Sequence, residues 1–162
     1  MIVTIKEVED KLINEFNCGV KELDIYFKNY ALKNDIENIG KTFVCIQNNK
    51  IVGFYTLSNA QIEFNNLNED LKKGLPRYPI PAIRIARLAV DENHKNKKFG
   101  AKLLKDAFKR ILVISNQSAI KFIIVDAKET SKSFYEHYGF IKLDSYKLTY
   151  LMLISTILKA IK

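Results

Sequence analysis

The chain has little of several residues that would otherwise announce a function. Among 162 residues there is no tryptophan, and there are three prolines, six glycines, two cysteines and two histidines. Cys18 and Cys45 are far apart and form no CxxC pair. With His94 and His137 the only histidines, the ligand set of a zinc site is missing. No apolar run reaches membrane-spanning length, and the opening MIVTIKEVED has neither a basic n-region nor an apolar h-region. Neither a membrane segment nor a signal peptide is therefore expected, and a reduced cytoplasm is the expected location. No internal repeat, low-complexity tract or long linker is found, so one domain over residues 1–162 is expected. The alternation of aromatic and basic residues used by RNA-recognition modules is also missing.

What is present is an ordinary globular composition, 48% hydrophobic and 27% charged, with a net charge of +8. The charge is unevenly placed. Arg84 to Arg110 holds nine Lys/Arg against three Asp/Glu, so this segment carries +6 of the total. A basic cluster of this kind suits a phosphorylated small molecule, a polyanionic substrate, or both. For Lys102, Lys105 and Lys109 a solvated helix face is an equal reading.

Hydrophobic patterning orders the elements. Ile2–Val8 reads as a strand. Val20, Leu23, Phe27, Tyr30 and Ala31 mark the inner face of one helix. Thr42–Gln47 and Ile51–Leu57 read as a hairpin about Asn48-Asn49-Lys50. A short helix and a loop are expected over 65–78. Ile83–Val90 is a strand, and Gly100, Leu103, Leu104, Ala107, Phe108, Ile111 and Leu112 form one helical stripe. Ile120–Val125 is apolar throughout, as for a central strand. Thr130–Tyr138 is a helix stopped by Gly139. Phe140–Leu143 and Leu148–Ile154 are the last strands, with Ser155 as a cap for a terminal helix. The fold class is α/β (α+β), with one mixed, mostly antiparallel sheet of six to seven strands and helices on both faces.

The segment from Arg84 to Ala107 runs from strand through basic turn to helix, which offers backbone N–H groups to phosphate at the helix N-terminus. The run LAVDENHKNKKFGAKLL resembles the acyl-CoA-binding motif Q/R-x-x-G-x-G/A of the GNAT superfamily of N-acetyltransferases. The downstream signature Phe134-Tyr135-x-x-x-Gly139-Phe140 is similar too. The motif falls on Lys95, Asn96, Lys97, Lys98, Phe99 and Gly100, with Ala101 adjoining. The resemblance implies that their amides hold the pyrophosphate of acetyl-CoA. It also implies that Leu88, Ala89 and Val90 offer backbone groups to the pantetheine and the thioester.

Two departures bear on that turn. Lys95 replaces Gln or Arg, and Lys98 stands where the first motif glycine belongs. Asn96 occupies another position that is often glycine. Glycine tolerates positive φ and close phosphate approach. Asn visits the left-handed region, whereas Lys98 is not expected to supply that freedom. Its ammonium is instead expected to meet the pyrophosphate, leaving binding intact but more salt-dependent.

The resemblance further implies that Tyr135 protonates the departing thiolate. A phenol of pKa about 10 can donate to a thiolate whose acid is near ~8.5. On helical spacing, Phe134 and Tyr138 are the apolar anchors and Tyr135 faces elsewhere. Among Asp91, Glu92, His94, Glu136 and His137, no general base has a partner visible in the sequence. That leans toward an acceptor α-amine, which at about 7.7–8.0 is largely neutral unaided.

Phe16-Asn17-Cys18-Gly19, Leu23-Asp24 and Phe27 resemble the F-x-C-G-x-x-x-L-D-x-[YWF] opening of the toxin members of type II toxin–antitoxin pairs. Thr42-Phe43-Val44, Gly53-Phe54-Tyr55, Ile80-Pro81 and Arg87-Leu88-Ala89-Val90-Asp91 are similar as well. This resemblance implies acetylation of the α-amino group on aminoacyl-tRNA and arrest of translation. It also implies a homodimer and a small DNA-binding antitoxin of ribbon-helix-helix type. The basic cluster fits such a tRNA substrate, with Arg84, Arg87, Lys95, Lys97 and Lys98 expected on phosphate groups and shared between cofactor and tRNA. Arg87 also reads as a structural ion-pair residue, and Cys18 as buried packing. A housekeeping acetyltransferase of a small amine or protein N-terminus, and a non-catalytic CoA-binding module, remain open.

Overall fold

The computed structural model describes residues 1–144, 146 and 148–160. Its strands are β1 (Ile2–Thr4), β2 (Lys41–Gln47), β3 (Lys50–Ile62), β4 (Ile80–Val90), β5 (Phe122–Asp126), β6 (Ile141–Lys142) and β7 (Thr149–Leu153). Its helices are α1 (Asp10–Glu15), α2 (Lys21–Asn29), α3 (Ala31–Ile36), α4 (Glu69–Lys72), α5 (Phe99–Ser115), α6 (Lys132–His137) and α7 (Ile154–Ala160). The strands form a mixed sheet in the order β1-β2-β3-β4-β5-β7-β6. β4 and β5 run parallel, and the pairs β1–β2, β2–β3, β5–β7 and β6–β7 are antiparallel. The expected mixed, mostly antiparallel sheet is present.

The chain packs as two compact units, Met1–Ser58 with Ala86–Ala107 and Asn59–Ile85 with Phe108–Lys162. In the first, Asn48 and Asn49 take φ of 51° and 58°. Positive φ at both central residues is the turn whose twist matches a two-residue hairpin, here joining β2 to β3. Phe16, Phe27 and Phe54 are fully buried together. The rings of Phe27 and Phe54 stack at 4.3 Å, and Phe16 meets Phe27 edge-on at 5.0 Å. Burying each ring contributes about 1.5–3 kcal/mol.

Several local expectations change here. The opening strand stops at Thr4, and a 3-10 turn follows at Ile5–Glu7. The single helix expected after Gly19 is two, because Tyr30 leaves helical geometry at φ −127°. Tyr30 is exposed rather than on the core face. α1, which has too few periodic residues to signal itself, was not anticipated. Just beyond α3, Asn38 takes a left-handed φ of 59°, which lets Ile39 N–H reach Asn34 O at 2.9 Å.

In the second unit, Ile62, Leu67, Ile80, Ala82, Phe122, Ile124, Leu143 and Leu151 form a continuous apolar core. The β4–β5 register covers Ala82–Ile85 against Phe122–Val125. β7 buries Tyr150, Leu151 and Met152, so the apolar C-terminal run is largely a core strand. Ser155 sits inside α7, which begins at Ile154, and does not cap it. Ile161 and Lys162, the end of that run, lie outside the described residues.

Candidate active site

The turn after β4 is built around one buried carboxylate. Asp91, 8% exposed, accepts from Asn93 N–H at 3.0 Å, from Asn17 N–H at 3.3 Å, and pairs with His94 Nδ1 at 3.2 Å. It is the N-cap of a 3-10 turn at Glu92–His94, the geometry that favours Asp at such a position. The Asp91–His94 contact pairs two of the five base candidates with each other, and the i, i+3 spacing was its only trace in the sequence. Tyr150 Oη donates to Glu136 at 3.4 Å.

Asn96 and Lys98 both adopt left-handed φ, 63° and 65°. Asn96 behaves as anticipated. Lys98 does not: it takes the glycine conformation despite its Cβ, at a cost of about 1–2 kcal/mol. The turn therefore keeps the backbone shape that the missing glycines would have supplied. α5 follows immediately. Lys102 N–H bonds Lys98 O at 3.1 Å, so the preceding N–H groups of Phe99, Gly100 and Ala101 fall in the first turn, where no intrahelical carbonyl reaches. Seventeen residues of helix put the positive end of their dipole at this point.

Leu88 and Val90 are half-buried on β4, with Ala89 buried between them. Ala86–Val90 extend β4 beyond its register with β5, which ends at Ile85. Lys97 and Lys98 are exposed. Lys95 is engaged, its ammonium donating to Cys18 O at 2.8 Å. Cys18 is buried as expected, and burial pushes its thiol up to about 11.

Arg87 remains on the surface, its guanidinium 4.5 Å above the ring of Tyr26, and it donates to Ala86 O at 2.9 Å. Among the described residues Arg87 makes a cation–π contact and no ion pair, unlike the structural ion-pair role that one reading gave it. Arg87 also lines a cavity of about 520 Å³ with Glu22, Ile25, Tyr26, Tyr30 and Asn34. Arg84 belongs to the other unit, where it is ion-paired to Asp126. Thr149 Oγ1 donates to the same carboxylate at 3.0 Å.

Tyr135 is likewise in the second unit, and its setting corrects the sequence-based assignment of faces. It is the buried residue of α6, while Phe134 and Tyr138 are half-buried and lean on one another at 5.2 Å. The cause is the helix end. Gly139, at φ 96°, closes a Schellman motif in which Phe140 N–H bonds Tyr135 O and Gly139 N–H bonds Glu136 O, both at 3.1 Å. The accompanying apolar contact is Tyr135 against Phe140, edge-on at 5.5 Å. The F-Y-x-x-x-G-F signature is thus a helix terminator that turns Tyr135 inward. Burial raises its phenol above the usual range, which keeps the proton on Oη at neutral pH. Among the described residues no protein group hydrogen-bonds that hydroxyl.

Residues 11–148 match the model of a family described as an acetyltransferase (GNAT) domain. The chain belongs to the GNAT acetyltransferase family. As a GNAT protein it is an N-acetyltransferase. The chain is 28% identical over 137 residues to a tRNA-acetylating toxin of Mycobacterium tuberculosis, covering 84% of this chain and 81% of that one. It superposes on AtaT complexed with acetyl-methionyl-tRNAfMet with a TM-score of 0.89 at 22% identity, covering 100% and 99% of the two chains. A mutant AtaT bound to acetyl-CoA and the C-terminus of the antitoxin AtaR gives 0.79 at 20%, covering 97% and 94%. At these identities the two structures establish a common GNAT fold.

Proposed function

We propose that this GNAT chain, residues 1–162 acting as one catalytic domain, transfers acetyl from acetyl-CoA to the α-amino group of an aminoacyl-tRNA and thereby blocks translation. The observation that carries the acetyl-CoA assignment is the pair of left-handed residues, Asn96 and Lys98, directly before the open N-terminus of α5. Such a concave row of amides fits a pyrophosphate, and the exposed Lys97 and Lys98 add charge to it. Leu88, Ala89 and Val90 would meet the pantetheine. Acetyl-CoA supplies the activated thioester.

The acceptor amine forms the new C–N bond as the C–S bond breaks. Tyr135 Oη gives the leaving sulfur its proton, and the proton lost by the amine, relayed through water, restores the Tyr135 hydroxyl. The +6 segment and the exposed Arg87 suit a tRNA acceptor end, where phosphate contacts dominate affinity. The similarity to a tRNA-acetylating toxin supports the same choice. With it come the remaining parts of the reading: a homodimer, a ribbon-helix-helix antitoxin partner, and action in the cytoplasm where charged tRNA is used. Among the described residues no helix is long and apolar enough to cross a membrane.

The test is transfer of labelled acetyl to charged tRNA. Label is expected on aminoacyl-tRNA and absent from deacylated tRNA. Label confined to small amines or protein N-termini would move the reading to a housekeeping acetyltransferase. Acetyl-CoA binding without turnover on any amine would move it to a binding module.

A further inference from the structure

Strained backbone persists only where its surroundings over-determine it. Asn96 and Lys98 are strained, so something must hold the turn that contains them. The holding groups come from the segment before α2. Glu92 N–H donates to Asn17 O at 2.8 Å, and Asn17 N–H donates to Asp91 Oδ2 at 3.3 Å. Lys95 Nζ donates to Cys18 O at 2.8 Å. Gly19, at φ 83°, lets Glu92 pack where a Cβ would lie 2.4 Å from its Oε1.

The segment is itself rigid. Asp24 Oδ1 accepts from Cys18 N–H at 2.9 Å, Asn17 Oδ1 accepts from Gly19 N–H at 2.8 Å, and Phe16 anchors it in the aromatic core. We infer that Asn17-Cys18-Gly19 and Lys95 form a brace that sets the shape of the cofactor turn. Lys95 is then a positioning residue that acts through the Cys18 carbonyl and not through a phosphate. The role of the brace rests on the acetyl-CoA reading, whereas its existence as a mechanical unit does not.

The physical logic separates the lysines of the turn. A lysine whose ammonium meets pyrophosphate contributes a screened, salt-dependent attraction. One spent on a partly buried carbonyl contributes rigidity, which salt leaves alone. Asp24 and Gly19, which the sequence marked only by resemblance, acquire a cause: the first caps the segment and the second admits Glu92.

Two measurements on the full chain decide the matter, using Lys95→Met and Lys95→Arg. Without ligand, amide hydrogen exchange at Glu92, Asn93 and His94 is expected to quicken in Lys95→Met and to return toward wild type in Lys95→Arg. Unchanged exchange in Lys95→Met would overturn the brace. With acetyl-CoA, Lys95→Met is expected to weaken binding roughly 3- to 10-fold, the worth of one hydrogen bond. The salt dependence should match wild type, and KM should rise at constant kcat. A weaker salt dependence than wild type would make Lys95 a phosphate contact and overturn the inference. Wild-type protein that binds no acetyl-CoA would remove the cofactor reading, and the exchange measurement alone would then judge the brace.

Discussion

Gly53 on β3 lies so close to Ala89 on β4 that a Cβ built on it would sit 2.8 Å from the Ala89 carbonyl oxygen and 2.7 Å from Leu103 Cδ1. The leucine methyl can move, but the backbone carbonyl cannot without displacing β4. Gly53→Ala is therefore expected to lower stability by about 1–3 kcal/mol through overpacking. The shift in denaturant midpoint checks this. Because Ala89 is assigned to the pantetheine, acetyl-CoA affinity should fall in the same variant.

Lys98→Gly tests the strain in the turn. Relief of left-handed strain returns about 1–2 kcal/mol, while the freer unfolded chain takes back about 0.4–1 kcal/mol. The variant is expected to be as stable as wild type or slightly more so by thermal unfolding. It should bind acetyl-CoA more weakly at low salt, with the difference vanishing at high salt. Equal affinity at low salt would show that the Lys98 ammonium does not meet the pyrophosphate.

Tyr135→Phe removes the proposed proton and little else. Its ring contacts with Phe134 and Phe140 survive. Turnover is expected to fall by about 10²- to 10⁴-fold, the range for general acid catalysis. Acetyl-CoA binding and melting temperature should stay near wild type. A variant that turns over normally would end the acid assignment.

Two buried acids set the alkaline limit. The Cys18 thiol, ordinarily 9.0, is pushed up to about 11 by burial, and the Tyr135 phenol is raised above 10.0 by the same cause. Both are neutral in the fold and ionise more readily once unfolded. Their stabilisation is full below pH 9, falls as pH rises from 9 toward 11 for Cys18, and falls above 10 for Tyr135. Stability measured across pH 8 to 11 should decline in that window. Burial keeps the Cys18 thiol protonated at pH 8, so a thiol reagent should label it far more slowly than a free cysteine.

Arg87→Ala is expected to weaken tRNA binding about uniformly across tRNA species and to reduce its salt slope by about 1, as for loss of one phosphate contact. The lost contact with Tyr26 costs about 0.5–1 kcal/mol of stability. Binding titrations at several salt concentrations check the first expectation, and thermal unfolding checks the second.

The readable parts of this chain are those in which neighbours along the sequence decide the outcome. Asn48-Asn49 closed the hairpin, Gly139 ended its helix, and the stripe from Gly100 to Leu112 became α5. The division at Tyr30 and the short α1 escaped, since six-residue helices owe their existence to packing more than to pattern. The ion pair of Arg84 was not legible, because Asp126, 42 residues away, gives no sign of itself in the local sequence.

By itself the sequence determined where the basic turn before α5 lies and which tyrosine follows it, because helix period, turn chemistry and charge clustering act over a dozen residues or fewer. Only the tertiary structure decided that Lys98 would take a glycine conformation, that Tyr135 and not Phe134 would turn inward, and that Lys95 would be bound to a carbonyl. The Lys95 ammonium meets a carbonyl 77 positions away, and in the same turn Asp91 meets Asn17 across 74 positions. Backbone strain and the choice of hydrogen-bond partner are settled by the surrounding packed structure, and local propensity carries no record of it.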